Sequence, residues 1–269
     1  MVKRLLSALF ILSLLLSHGI GEERVTRNEG EMFFPEEKNW VYHFTYAYPY
    51  LNGEDYTAAL INDTYQMALD EMTQLVLPMF ANAEDMRFDG KNEVNHDFSV
   101  LCDNGVLLSI LQTKRQSMGE EGAMYTLEPL TFDVSGQYAG ETLTLRGVIL
   151  IQAGVDPEGL DDVRPEEYPE ITRIISESSS SMADRMMPVL YDLFMKSEGA
   201  EAIAPSCSYE NFEMEFSPTH DFAADEEGNV LFFFPPMLLA QPGTHVPVIR
   251  LTPTDIEAIL EQDPQVSPE

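Results

Sequence analysis

The side chains of this 269-residue sequence best suited to chemistry are 46 carboxylates, five histidines and two cysteines. Spacing decides whether they make a site. His96-Asp97 and His220-Asp221 are adjacent pairs, and adjacency within a strand sends two side chains to opposite faces. His43 and His245 stand alone. The sequence has no His-Glu-x-x-His and no close Cys/His set, so it predicts no metal centre and no cofactor. Asp156, Glu158, Asp161 and Asp162 have the oxygen chemistry that calcium favours, but without the EF-hand order they read as a solvated acidic loop. No Gly-x-Ser-x-Gly elbow is present, and the run Ser178 to Ser181 reads as a helix junction. Cys102 has no neighbouring histidine to hold it as a thiolate. A wall-acting hydrolase would need two acids with separated pKa values, and no pair stands out. The reading is of a chain without catalytic residues.

Cys102 and Cys207 permit one disulfide in an oxidising compartment. It would close a loop of about 105 residues and be worth a few kcal/mol. Two free buried thiols are the alternative.

The compartment is read from the first residues. Lys3 and Arg4 precede Leu5 to Leu16, apolar but for Ser7 and Ser13, and His18-Gly19-Ile20-Gly21 follows. This is the order of a secretory signal peptide, and the run falls short of the ~20 apolar residues of a membrane span. Residues 1–21 are therefore expected to be a leader, with the mature chain starting at Glu22 outside the cytoplasm, secreted or at the cell surface. An uncleaved N-terminal anchor is the alternative. No membrane span is expected in the mature chain. The net charge of −31 becomes −33 once Lys3 and Arg4 are removed. Such a field repels nucleic acid and anionic membranes and attracts cationic partners. The remaining ~248 residues, in a chain 44% hydrophobic, suffice for one large domain or two packed ones.

The elements that would position any site follow from periodicity. Residues 22–38 are polar and aperiodic and read as a flexible tether. Trp40 to Tyr48 alternates strictly, with Trp40, Tyr42, Phe44, Tyr46 and Tyr48 on one face. That is a strand, and its aromatic row reads as a core face rather than a glycan-stacking platform. After Asn52-Gly53, Ile61, Tyr65, Ala68, Met72 and Leu75 form a helical stripe that Pro78 should limit. Val94 to Cys102, the turn Asp103-Asn104-Gly105 and Val106 to Leu111 predict a hairpin. Met124 to Val134 is another strand. Thr142 to Ile151 is a strand or a buried connection. Tyr168 to Ile175 and Met182 to Leu193 are helical, the latter disturbed by Pro188. Phe216 to Phe222 and Val230 to Phe234 predict a second hairpin. Val246 to Leu251 is a strand, and Thr252-Pro253-Thr254-Asp255 caps a final helix. Without a βαβ rhythm, the fold class is α+β: antiparallel sheet packed by helices.

Three segments carry a family resemblance. They are Tyr48-Pro49-Tyr50-Leu51-Asn52-Gly53 with Ile61-Asn62; the Phe98 to Ile110 hairpin with Leu130 to Gly136; and Asp221-Phe222 to Leu251, containing Gly228 to Pro236 and Gly243 to Val248. Together they resemble the extracytoplasmic domain of RsiV-type anti-sigma factors, also found beside the catalytic domain of PdaC-type peptidoglycan deacetylases. The resemblance spans Trp40 to Leu260. It implies two sequential α+β subdomains, 39–137 and 138–262, in one compact extracytoplasmic module with a tail at 263–269. In RsiV-type proteins this module binds lysozyme. By the same comparison Met1 to Arg4 is not expected to serve as a cytoplasmic sigma-binding segment, a deacetylase domain is not expected beside this module, and no histidine stands between Gly119 and Tyr125.

The expected function is a non-catalytic binding or sensory module that engages a cationic extracellular protein, lysozyme-like, or peptidoglycan. A carboxylate-pair hydrolase and an orphan structural surface domain are the alternatives. The exposed acids at strand ends are the candidate binding surface: Asp161, Asp162, Glu166 and Glu167 in one loop, and Asp225, Glu226 and Glu227 in the C-terminal hairpin turn.

Overall fold

The computed structural model describes residues 24–82, 92–117, 122–157, 159–160, 163–197, 207–239 and 247–262. The leader and the tail lie outside the described residues.

A five-stranded sheet is built from β1 (Val25–Phe34), β2 (Tyr42–Leu51), β3 (Asn92–Asp103), β4 (Leu107–Ser117) and β5 (Ala123–Asp133), in that spatial order. β1 lies antiparallel to β2, Val25 opposite Leu51 and Phe34 opposite Tyr42. The segment read as a tether is thus largely an edge strand. Its charged residues hid the alternation; Arg27, Glu29 and Glu31 guard an edge against further pairing. β2 and β3 run parallel, Tyr42 beside Asn92 and Tyr46 beside His96. The sheet is therefore not wholly antiparallel, because a helical crossover separates these two strands. The Asp103-Asn104-Gly105 turn forms as expected: Asn104 Oδ1 accepts from the amides of Val106 and Leu107, and Gly105 takes φ +82°.

The crossover is α1 (Tyr56–Glu71), a π turn (Met72–Val76) and α2 (Leu77–Asn82). Asp55 caps α1 by accepting from Ala58 N at 2.8 Å. Pro78 does not end the helix. The Leu77 amide reaches back five residues to the Met72 carbonyl, a wider turn just ahead of the proline, and the helix continues to Asn82. Asn62 holds α1 to the end of β2, accepting from Leu51 N at 2.8 Å and donating to Leu51 O at 3.0 Å. Ile61, Tyr65, Leu69 and Leu77 then bury against Tyr42, Phe44, Tyr48, Ile110 and Phe132.

A three-stranded antiparallel sheet, β6 (Phe222–Ala224), β7 (Val230–Phe233) and β8 (Val248–Leu251), organises the second half. Around it lie α3 (Leu145–Gln152), α4 (Thr172–Ser176), α5 (Ser179–Met195), α6 (Tyr209–Glu215) and α7 (Pro253–Glu261). Thr142 to Ile151 resolves into α3, capped by Thr144; a wholly buried apolar run does not reveal its own period. Ser178 caps α5, and Pro188 is carried inside that helix. The first arm of the C-terminal hairpin shrinks to three residues. Phe216 closes α6, and Ser217 N bonds Asp221 Oδ2 at 2.6 Å in a local turn. Thr252 and Asp255 make the expected capping box, with Pro253 at the first helical position. The buried Glu257 accepts from Arg173 N and Ile174 N, tying α7 to the start of α4.

The two cores share a sheet. Leu108, Ile110 and Phe132 belong to the α1 core, whereas Cys102 and Leu107 belong to the core of the second half. Neighbouring residues of a strand face opposite ways, so the cores occupy opposite faces of one sheet. Between the halves, Ala224 N donates to Ser109 Oγ at 3.1 Å, and Ser109 bonds Thr131 at 2.9 Å. Cys102 and Cys207 are free. Cys102 is sealed in the core with its thiol turned to the Leu107 carbonyl, and burial pushes it up to about 12.

Candidate functional site

The acids chosen from sequence fare unevenly. Asp161 and Asp162, with Glu158 of the calcium loop, lie outside the described residues. Glu166 and Glu167 are exposed on a short 3-10 turn, Pro165–Glu167. In the Asp225 turn, Glu226 and Glu227 are exposed and Asp225 is buried. Asp225 is only 6% exposed and accepts from Glu227 N and Asn229 N, with Arg250 Nε at 3.2 Å. Glu226 accepts from Asp103 N at 2.9 Å and so bolts this turn to the β3–β4 hairpin. Glu227 pairs with Arg250 at 3.0 Å. An acidic turn beside a Gly228 at φ +83° needs its carboxylates to satisfy its own amides.

The histidines are separated. His43 Nε2 pairs with Glu31 and its ring stacks on Phe33. His220 Nδ1 stays in its own turn with Ser217 and Thr219. His245 lies outside the described residues. His96 is buried on β3, its Nδ1 2.7 Å from the Tyr48 hydroxyl. Among the described residues no group of three or more His, Cys, Asp or Glu could hold a metal. Nor is any described helix long and apolar enough to cross a membrane.

Sequence reading missed two hollows, one on each side of the helix that covers the sheet. The first is an open groove of about 590 Å³ between β1, the end of β2 and α1. Thr26, Asn28 and Tyr50 contribute from the strands, and Glu54, Asp55, Asn62, Asp63 and Gln66 from the helix side. Its charged lining is acidic apart from Arg27, whose guanidinium is committed to Asp97 at 2.6 Å and Glu29 at 3.4 Å. Asp55 is committed to its cap. Glu54 and Asp63 are exposed, and Tyr50 is 47% exposed. The groove offers carboxylates and an aromatic ring to whatever enters it.

The second hollow lies between the π turn, α2 and β3–β5, and holds about 170 Å³. Strand register explains its floor. His96 pairs with Lys114, and Lys114 with Thr126, so these three stand side by side on the helix-facing surface. The next rung sets Phe98, Gln112 and Glu128 together. Burial, with Lys114 nearby, lowers His96 to about 4, so the imidazole is neutral at pH 7. Burial, and secondarily the Glu128 charge, raises Tyr48 and Tyr65, so both stay phenols. The Tyr65 hydroxyl and Gln112 Nε2 are buried without a protein partner among the described residues. Buried donors of this kind ask for an acceptor. The signal was available: Gln112, Lys114 and Gln116 alternate along an arm whose register the Gly105 turn sets.

No family model matches this chain, and no curated protein does. Among solved structures, it is similar to a DUF3298 family member from Bacteroides fragilis at 14% identity and a TM-score of 0.45, covering 87% of this chain and 92% of that one. It is also similar to a DUF3298 family protein from Pseudomonas aeruginosa at 13% identity and a TM-score of 0.47, again covering 87% of this chain and 92% of that one.

Proposed function

We propose that this chain is a non-catalytic binding module that works outside the cytoplasm and captures a cationic protein of the lysozyme type. The observation that carries this reading is the open groove beside α1, where Glu54 and Asp63 stand exposed next to Tyr50 on a chain of net charge −31. A field of that sign steers a basic partner towards the surface and speeds encounter, with a strong dependence on salt. Aromatic side chains among polar ones are common anchors where two proteins meet. The leader-like first 21 residues and the RsiV-type resemblance support the same reading.

The test uses the purified chain immobilised and challenged with hen lysozyme at low and at physiological salt. The expected result is retention at low salt that weakens as salt rises. No retention in either buffer removes the lysozyme reading. N-terminal sequencing of the exported chain is expected to begin at Glu22, and recovery from the cytosol with the leader intact overturns the location.

A further inference from the structure

The smaller hollow differs from the rest of this acidic surface. Its ionisable lining residues are His96, Lys114 and Arg115, and the described lining includes no carboxylate. Met72, Val76, Leu77 and Phe80 form the opposite wall, with Val94 and Met124 at the sides. Two of these wall residues, Met72 and Val76, come from the π turn, a local widening of a helix that recurs at functional sites. The hollow therefore has an apolar lid and a polar floor whose one cation among the described residues is Lys114. Its volume of about 170 Å³ is close to that of an apolar cavity of ~150 Å³ that admits benzene. It suits a ring or a short chain, not the surface of a folded partner.

We propose that this hollow is a binding site for a small amphipathic carboxylate, with the carboxylate on Lys114 and the apolar body under the π turn and α2. Lys114 Nζ lies 2.6 Å from Glu128 Oε1 and 2.5 Å from Oε2. An ammonium has three donors, so at least one N–H remains for a ligand. Arg115 follows Lys114 on the strand, so its side chain faces the other way, donating to the Tyr125 hydroxyl at 3.3 Å with Glu93 at 3.8 Å. His96, 3% exposed, is part of the lining and is held by its bond to Tyr48. A neutral imidazole there offers a ligand a polar contact without a second fixed charge. A charge-assisted bond in a half-buried place is among the stronger polar contacts a pocket can make. The apolar wall supplies burial for the ligand's body.

The experiment is calorimetric titration of the full chain with three probes of one shape: phenylacetate, 2-phenylethanol and phenethylamine. Phenylacetate is expected to bind and raise the melting temperature, the alcohol to bind about tenfold more weakly or worse, and the amine not to bind. Lys114→Gln is expected to weaken phenylacetate about tenfold or more, and Lys114→Arg to restore most of the affinity. Val76→Trp fills the hollow without changing charge and is expected to abolish binding while the far-ultraviolet spectrum stays native. This variant decides the matter should Lys114→Gln fail to fold. No heat from phenylacetate, equal binding of all three probes, or undiminished binding by Val76→Trp overturns the proposal. Loss of lysozyme capture with phenylacetate binding intact leaves this site standing, because the two hollows share no lining residue.

Discussion

One helix with a π turn creates two hollows of opposite character. On the β1–β2 side the groove is wide, open and acidic. On the β3–β5 side the pocket is small, partly enclosed and lined by Lys114, a neutral histidine and apolar groups. The same sheet face floors both. What differs is which strand reaches beneath the helix. The edge strand brings Thr26 and Asn28, whereas β4 brings Lys114 and Gln116. Net charge therefore describes the molecule poorly at short range: a chain of −31 still builds a pocket without a carboxylate in its described lining.

The variant expected to act most strongly breaks both hollows together. Asn62→Leu removes two bonds that hold α1 to the buried Leu51 backbone, leaving a buried donor and acceptor unsatisfied. The expected loss is about 2–4 kcal/mol of stability, read by urea unfolding. Both phenylacetate binding and lysozyme capture should fall, since the helix walls both hollows.

The next sharpens the contrast by pH. His96 has its folded-state pKa depressed to about 4 from an ordinary 6.5. Between these values the unfolded chain binds the proton and the folded chain does not, so the stability contribution is full above pH 6.5 and is lost as pH falls towards 4. The magnitude is on the order of 3 kcal/mol. Urea unfolding at pH 7 and at pH 4.5 is expected to show a smaller fall for His96→Gln than for the natural chain. Equal falls would show that His96 does not carry this dependence.

The smallest effect on folding separates the hollows cleanly. Glu54→Gln with Asp63→Asn removes two exposed charges from the groove. Stability should change by less than about 0.5 kcal/mol. Association with lysozyme at low salt is expected to slow about threefold, measured by stopped-flow or surface binding, with phenylacetate affinity unchanged.

Much of this was legible in the sequence where local rules act alone. The Gly105 turn, the Thr252 to Asp255 cap and the aromatic alternation of β2 each declare themselves within a few residues. What escaped was decided at a distance. Arg27, Glu29 and Glu31 look like a tether until β2 is there to pair with them. Pro78 looks like a stop until the Leu77 amide finds the Met72 carbonyl. Asp225 looks like surface until its own turn claims both of its oxygens. The pocket was hidden for a similar reason: His96, Lys114 and Thr126 are far apart in sequence and meet only once three strands are in register.

The division of Leu107 and Leu108 between two cores has a consequence for how the chain can be cut. A fragment ending near residue 137 would keep its strands but leave Cys102 and Leu107 bare to water, and the remainder would lose the surface on which it condenses. The boundary between halves is thus a line on a topology diagram and not a place for scissors. Melting should proceed as one transition, and neither piece made alone should stay in solution.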